Sequence, residues 1–316
     1  MGSPSKGDVH ISVPLSNLSI SLSSPAFKGQ SLLPEFFVTK EADKYYTWTN
    51  RESLRRINTK RAMGDPSREV DVKPGNASFD CQEYALSKIL PDRLVAIADS
   101  ATNLRMHTVA ALQEWVERDL ESDIIFEVTQ NGGLTGSTPT VKWDATSGTI
   151  VIEDNLDTAK QAIENNAGAI ANTIVFNTKV KDAVKTDSTL RDLIRYTITG
   201  TQGKELLISG ELPPVMFGLR IEVAGAVENT ANIGATSVIS KVWPNSAIIA
   251  FVDPAPSLES KTLGLTFTVK KGGNGAGTVK TWRDEKRNGT FYEVSMIKDP
   301  VIVASSCGYN FHSVLT

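Results

Sequence analysis

At 316 residues with a formal net charge of −3, the chain has no global basic field to draw it to nucleic acid. A hydrophobic content of 40% and a charged content of 22% suit an ordinary folded protein with one large core or two modest ones. No apolar run approaches the length of a membrane span. Met1 to Gly7 lacks the charged-then-apolar pattern of a secretory signal, so cytoplasmic synthesis is expected.

Residues 1–30 are rich in Ser, Gly and Pro and alternate weakly between apolar and polar, with no helical period. They read either as an extended arm that needs a surface to lie on or as a frayed terminus. The stretch from Lys40 to Pro91 follows. Its aromatic ends, Tyr45-Tyr46-Thr47-Trp48 and Phe79-Asp80-Cys81-Gln82-Glu83-Tyr84, flank a polar basic tip. Between Asn50 and Arg61 five cations (Arg51, Arg55, Arg56, Lys60, Arg61) stand against the single anion Glu52. An isolated two-stranded excursion is marginal in water, and a loop this long inside a domain is usually functional or disordered. The segment therefore calls for a partner outside the chain's own core.

From Thr102 to Glu121 the apolar residues Leu104, Val109, Leu112, Trp115, Val116 and Leu120 recur at three- and four-residue steps, predicting one long amphipathic helix with Asp99 or Ser100 as cap. Its second half is acidic: Glu114, Glu117, Asp119, Glu121, Asp123 and Glu127 against Arg118. Either a solvated face or a docking face for a basic partner would explain that run.

Val141-Lys142-Trp143 and the alternating Thr149 to Ile152 then read as extended segments. An α/β-like section follows. A helix capped by Asp154 or Asn155 carries Leu156, Ala159 and Ile163 and ends at Gly168. Thr173 to Phe176 is a short buried strand, and Thr178 and Ser188 start two further short helices. Strands are expected over Leu219 to Val223, Ala247 to Val252 and Leu265 to Val269. The last section predicts strands over Thr278 to Asp284, Thr290 to Ile297 and Val301 to Ser305, separated by Arg287-Asn288-Gly289 and Lys298-Asp299-Pro300; Asn288-Gly289 is a strong hairpin signal.

Chemical motifs fail on context. Gly272 to Gly277 is glycine-rich, but a strand pattern follows where a phosphate-binding loop needs a helix, and no Lys-Ser/Thr completes it. The only histidines, His10, His107 and His312, form no metal-ligand spacing, and His107 reads as a solvated helical residue. Cys81 and Cys307 lack a CxxC context and read as two buried free thiols. No catalytic residue, metal ligand or cofactor is assigned. What remains is an arm, a long basic loop, a helix with an acidic face and a terminal set of long strands. These are the parts of an assembling subunit ordered by neighbouring copies.

At this point the chain resembles the major capsid proteins of tailed double-stranded DNA bacteriophages. The resemblance rests on Asp43-Lys44-Tyr45-Tyr46-Thr47-Trp48, the turn Arg61-Ala62-Met63-Gly64, and Phe79 to Leu86 running into Ile89-Leu90-Pro91-Asp92. It continues through Ala171 to Val180, Val242 to Ala247, Phe251 to Pro254 and Thr281 to Lys286, in family order over roughly residues 40 to 315. It implies an α+β capsid fold with five parts: an N-terminal arm (1–34), an extended β-hairpin loop (35–91), a peripheral domain (92–152) with a spine helix near 102–121, an axial α/β domain (153–268) and returning peripheral strands (269–316). It further implies a structural, non-enzymatic virion protein, assembled in the host cytoplasm into hexamers and pentamers around packaged DNA that is contacted non-specifically. The implied partners are other copies, a scaffolding protein, a portal and a decoration protein, with no membrane.

Two departures limit what carries over. Many relatives have an N-terminal scaffolding region that is cleaved, and here no room for one precedes the arm, so scaffolding is expected as a separate protein or the chain as a mature form. Some relatives cross-link a loop lysine to an asparagine; Lys60 and Asn288 have the right types, but non-covalent locking is the expectation. The basic tip (Arg51, Arg55, Arg56, Lys60, Arg61) is expected to dock on the acidic helix face of a neighbour, with Glu114, Glu117 and Glu121 as contacts. An encapsulin-like shell around protein cargo, a nucleic-acid-binding module using the same cations and, last, a hydrolase are the rival readings.

Overall fold

A computed structural model describes residues 10–11, 26–47, 56–69, 75–97, 101–145, 152–187, 190–192, 212–232, 234–258, 260–270 and 277–316. In chain order these hold β1 (His10–Ile11), β2 (Glu35–Val38), β3 (Ala42–Thr47), β4 (Gly75–Asp80) and β5 (Gln82–Pro91). Then come the helices α1 (Asp92–Ile97) and α2 (Ala101–Phe126), the strand β6 (Thr135–Ser137), α3 (Ile152–Ala167), β7 (Thr173–Asn177) and α4 (Thr178–Thr186). The remaining strands are β8 (Val215–Met216), β9 (Leu219–Ala224), β10 (Val227–Asn229), β11 (Ile239–Lys241), β12 (Ala247–Ala250), β13 (Gly264–Val269), β14 (Thr278–Asp284), β15 (Gly289–Ile302) and β16 (Gly308–Phe311).

Two six-stranded sheets organise the molecule. In the first, β15 is the trunk. It leaves β14 through a turn in which Asn288 sits at φ 44, a left-handed conformation that asparagine tolerates and the Asn-Gly signal anticipated. Over its 14 residues β15 pairs with β14 on one side, β5 on the other, and finally β13, whose far edge takes β2 in parallel. The arm strand β1 lies on the outer edge of β14. Leu90, Val279, Tyr292 and Val294 turn one face toward Val109 and Leu112 of α2, forming a compact core.

The second sheet runs β6-β16-β12-β7-β9-β8. Its central strands β12, β7 and β16 are buried at every position, the signature of a sheet covered on both faces. The apolar stripe of α3 (Leu156, Ala159, Ile163) and Val180 and Val184 of α4 share the core of this sheet. Asn177 caps α4 by accepting from the Val180 amide at 2.9 Å, and Gly168, at φ +65, ends α3 with its amide on the Glu164 carbonyl. The helix α2 serves both cores. Val109 and Leu112 lie in the first, and Val116, Leu120 and Ile124 in the second, where Val128 just past the helix joins them.

Several expectations need correction. The expected 35–91 loop is shorter than that, because β2 and the ten-residue β5 at its two ends are strands of the first sheet, and β3 and β4 between them are not. The peripheral set expected over 269–316 loses its last strand, since β16 joins the second sheet, and the axial set expected over 153–268 loses most of β13 to the first. Strand pairing is non-local, and chain order does not carry it. The helix expected over 102–121 runs on to Phe126 and then through a π-helical turn, Glu127–Asn131. Lys298-Asp299-Pro300 is no break. At Pro300 the strand has passed the ends of β14 and β5, so one edge needs no N–H donor. Ile152 opens α3 instead of closing a strand. The Asp99/Ser100 cap, residues 149–151, the start of the helix expected at Ser188 and the loop 272–276 lie outside the described residues. Among the described residues no helix is long and apolar enough to cross a membrane.

Candidate assembly surface

The excursion 39–81 is built from β3 and β4, paired antiparallel from Ala42↔Asp80 to Thr47↔Gly75. Period-two alternation points Tyr45 and Phe79 inward. Both pack on Phe267 of β13, which is fully buried: Phe79 stacks at 4.2 Å between centroids, Tyr45 lies tilted at 5.5 Å and Phe36 of β2 meets it edge-on at 6.1 Å. Each such aromatic pair adds about 0.5–1.5 kcal/mol beyond area burial. The Asp80 amide donates to Asp299 Oδ2 at 2.8 Å, and Lys298, buried in β15, holds Glu35. Burial lifts the Asp299 carboxyl above the usual carboxylate range, with the Glu127 and Asp80 charges adding to it. Burial, aided by Asp299, Asp80 and Glu41, pushes the Cys81 thiol up to about 12, so Cys81 is an inert free thiol here, as Cys307 is in the other core.

Past this base the support ends. Residues 56–69 form neither strand nor helix, and all but the half-buried Ile57 are exposed. The Asp65 amide reaches the Ala62 carbonyl at 3.3 Å, and Gly64 sits at φ +94, the positive value that the third residue of a type II turn requires. The turn presents Met63 at its apex, with a relative exposure of 105%. Arg56, Lys60 and Arg61 are exposed, and none has an ion-pair partner among the described residues; Arg51 and Arg55 lie outside them.

The acidic residues of α2 do not share one fate. Glu114 is exposed and bonded to Arg118 at 2.7 Å. Glu117 is half-buried and accepts from Gln113 at 2.8 Å. Asp119 is exposed at the residue level, yet desolvation and the Asp123 charge hold its carboxyl above the usual range. Asp123 accepts the Tyr84 hydroxyl at 2.6 Å; burial first, then this bond, raises the phenol. Trp115, expected in the core, is 52% exposed. The buried stripe advances by fours (Leu112, Val116, Leu120, Ile124, Val128), and position 115 falls beside it. Trp115 and Leu86 instead wall an open groove of about 520 Å³ that Tyr84, Asp119 and Glu228 help to line.

Glu121 is the correction among the expected contacts. It is 2% exposed and faces inward, so it presents nothing to a neighbour. A position one turn beyond Glu117 lies on the same side of a helix only in part, and around the helix residue 121 falls between the buried Ile124 and Ile125. Met63, Trp115 and Leu86 are exposed apolar residues that sequence reasoning did not single out as surface features. For Met63 the signal was present in Met63-Gly64, a turn dipeptide that exposes its first residue.

No protein-family model matches the chain, and no curated protein matches it in sequence. Solved structures do match. A phage-related protein from Bordetella bronchiseptica superposes with a TM-score of 0.68 at 19% identity, over 96% of this chain and 97% of that one. A capsid structure of cyanophage P-SCSP1u gives 0.56 at 11%, over 88% and 86%. An encapsulin complex from Synechococcus elongatus gives 0.53 at 12%, over 93% and 89%. The chain has the mixed helix-and-sheet fold shared by these phage capsid and encapsulin structures.

Proposed function

We propose that this chain is a major capsid protein of the tailed-bacteriophage kind, a non-enzymatic subunit that assembles as hexamers and pentamers into an icosahedral shell around double-stranded DNA in a virion. On this fold, one observation carries the reading. The excursion 39–81 is pinned at its base by an aromatic cluster and ends in an exposed tip whose apex, Met63, is fully exposed. Such a tip gains a fixed conformation only against another molecule. Head-to-tail contacts of this sort close into rings when the rotation allows.

The occupant of the neighbour's acidic α2 face is the basic tip of a second copy. Arg56, Lys60 and Arg61, together with Arg51 and Arg55, meet Glu114 and Glu117, while Met63 fits the groove between Leu86 and Trp115. Rim ion pairs are worth about 0–1 kcal/mol each, so they fix register and reject wrong pairings while the repeated contacts supply affinity. The locking is non-covalent; a ladder of covalent multimers on a denaturing gel would reverse that. Scaffolding, portal and decoration proteins are the further partners of this reading, and DNA contact is without sequence preference.

The test is electron microscopy of the purified protein, with Arg56→Glu and Arg61→Glu together as the variant. Closed shells from the parent and open or absent shells from the variant support the reading. Normal yield, size and salt tolerance in the variant would remove the charge pairing. The encapsulin match keeps a second reading, a compartment around protein. Nucleic acid in purified shells favours the first, and a co-purifying enzyme the second.

A further inference from the structure

We infer that Glu121 is a positioning residue, a buried carboxylate clasp that fixes residues 28–31 against α2 and the Trp243 loop. Its Oε1 accepts from the Lys28 amide at 2.8 Å, the Gly29 amide at 3.0 Å and the Trp243 indole N–H at 2.6 Å. Its Oε2 accepts from the Gly29 amide at 2.9 Å. Three stretches of chain thus converge on one side chain: the arm root, α2, and the Trp243 loop that leads into β12. Among the described residues no cation bridges Glu121, and the Lys28 ammonium goes to Glu222 at 3.0 Å instead. A buried carboxylate without a cation is tolerable only when hydrogen-bonded, and here every donor is neutral.

The approach is close by design of the sequence. A Cβ on Gly29 would stand 2.6 Å from Glu121 Oε2 and 2.9 Å from the Ile124 side chain, distances that no real Cβ adopts. The amides held are those at the start of a 3-10 turn, Gly29–Ser31, so the carboxylate also serves as its cap. Immediately after the turn Leu32 and Leu33 are fully buried, and they hold the chain from that point without help. Beside it, the Gly225 amide on the Ala26 carbonyl at 3.1 Å and the Lys28–Glu222 pair at 3.0 Å are partly buried contacts. The clasp therefore governs residues 28–31. It is a property of the subunit and stands or falls independently of whether shells form.

The experiment is limited trypsinolysis of the full chain, comparing variants in one assembly state and following the cut after Lys28. Glu121→Ala strands three donors, so cleavage there should rise at least about tenfold by local opening, with cuts at Lys160 and Arg283 unchanged. Gly29→Ala, which leaves Glu121 in place and displaces the arm sterically, should do the same and serves if Glu121→Ala does not fold. Glu121→Gln keeps an oxygen where three of the four contacts fall and should retain most of the protection. The inference is overturned if Lys28 is cut no faster in Glu121→Ala and Gly29→Ala, or if internal sites open in parallel. It is overturned as well if Glu121→Gln behaves like Glu121→Ala, since a role in accepting these bonds predicts rescue.

Discussion

The base and the tip of the excursion 39–81 belong to one stretch of chain and are held in opposite ways. At the base, Tyr45, Phe79 and Cys81 are buried against Phe267, and Asp80 is tied to Asp299. At the tip, Arg56, Lys60, Arg61 and Met63 are open to water. The difference separates two demands that a protruding element must meet: it must be aimed by its own domain, and it must leave its end free for another. Aromatic packing does the first, and charge with one apolar apex is suited to the second.

That division can be broken in several ways. Phe267→Ala removes the ring on which three aromatics converge, and should cost about 3–5 kcal/mol in chemical denaturation; a loss under about 1 kcal/mol would mean that the base is not held there. Excision of residues 57–68 should leave the unfolding midpoint unchanged or slightly raised, because shortening a loop changes closure entropy little, while closed shells disappear from micrographs. If instead the subunit unfolds, the tip is part of its own core.

A third test uses pH. Burial favours the protonated Asp299, so its contribution to stability is full below the unfolded carboxylate value, about 4, and is lost as pH rises through the raised folded value. Asp299→Asn keeps an acceptor for the Asp80 amide and cannot ionise. Its stability should therefore match the parent's at the acid end and gain on it as the pH climbs, and parallel curves would refute the assignment. Smaller still, Cys81 should resist alkylation at pH 8 in the parent and in the tip-excised protein alike, and become reactive in Phe267→Ala. Smallest, single charge reversals at Lys60 or Arg61 should move subunit stability by no more than about 0.5 kcal/mol.

How far the sequence could be read depended on the range of the force involved. Local signals served well: Asn288-Gly289 made its turn, Gly168 ended its helix, and Thr173 to Phe176 was a buried strand. The helix outran its expected end because Asp123 and Glu127 looked like solvent while Ile124 and Val128, each the next residue, continued the buried stripe. The assignment of β13 and β16 to their sheets was not legible, since no residue names a partner dozens of positions away. For the candidate surface, the tip cations were readable as a cluster, whereas the acids of α2 differ in burial for reasons set by Trp243 and the arm root. Composition shows a charge; only packing shows which way it faces.

Met63 has a consequence for experiment. A thioether with no cover is oxidised to the sulfoxide readily, whereas Met296, 4% exposed within the first sheet, is shielded in any state of assembly. Mild peroxide followed by mass spectrometry thus gives the chain a built-in footprint. If the tip docks as proposed, the ratio of oxidation at these two positions reports the fraction of tips that are covered, with no label introduced at the surface under test.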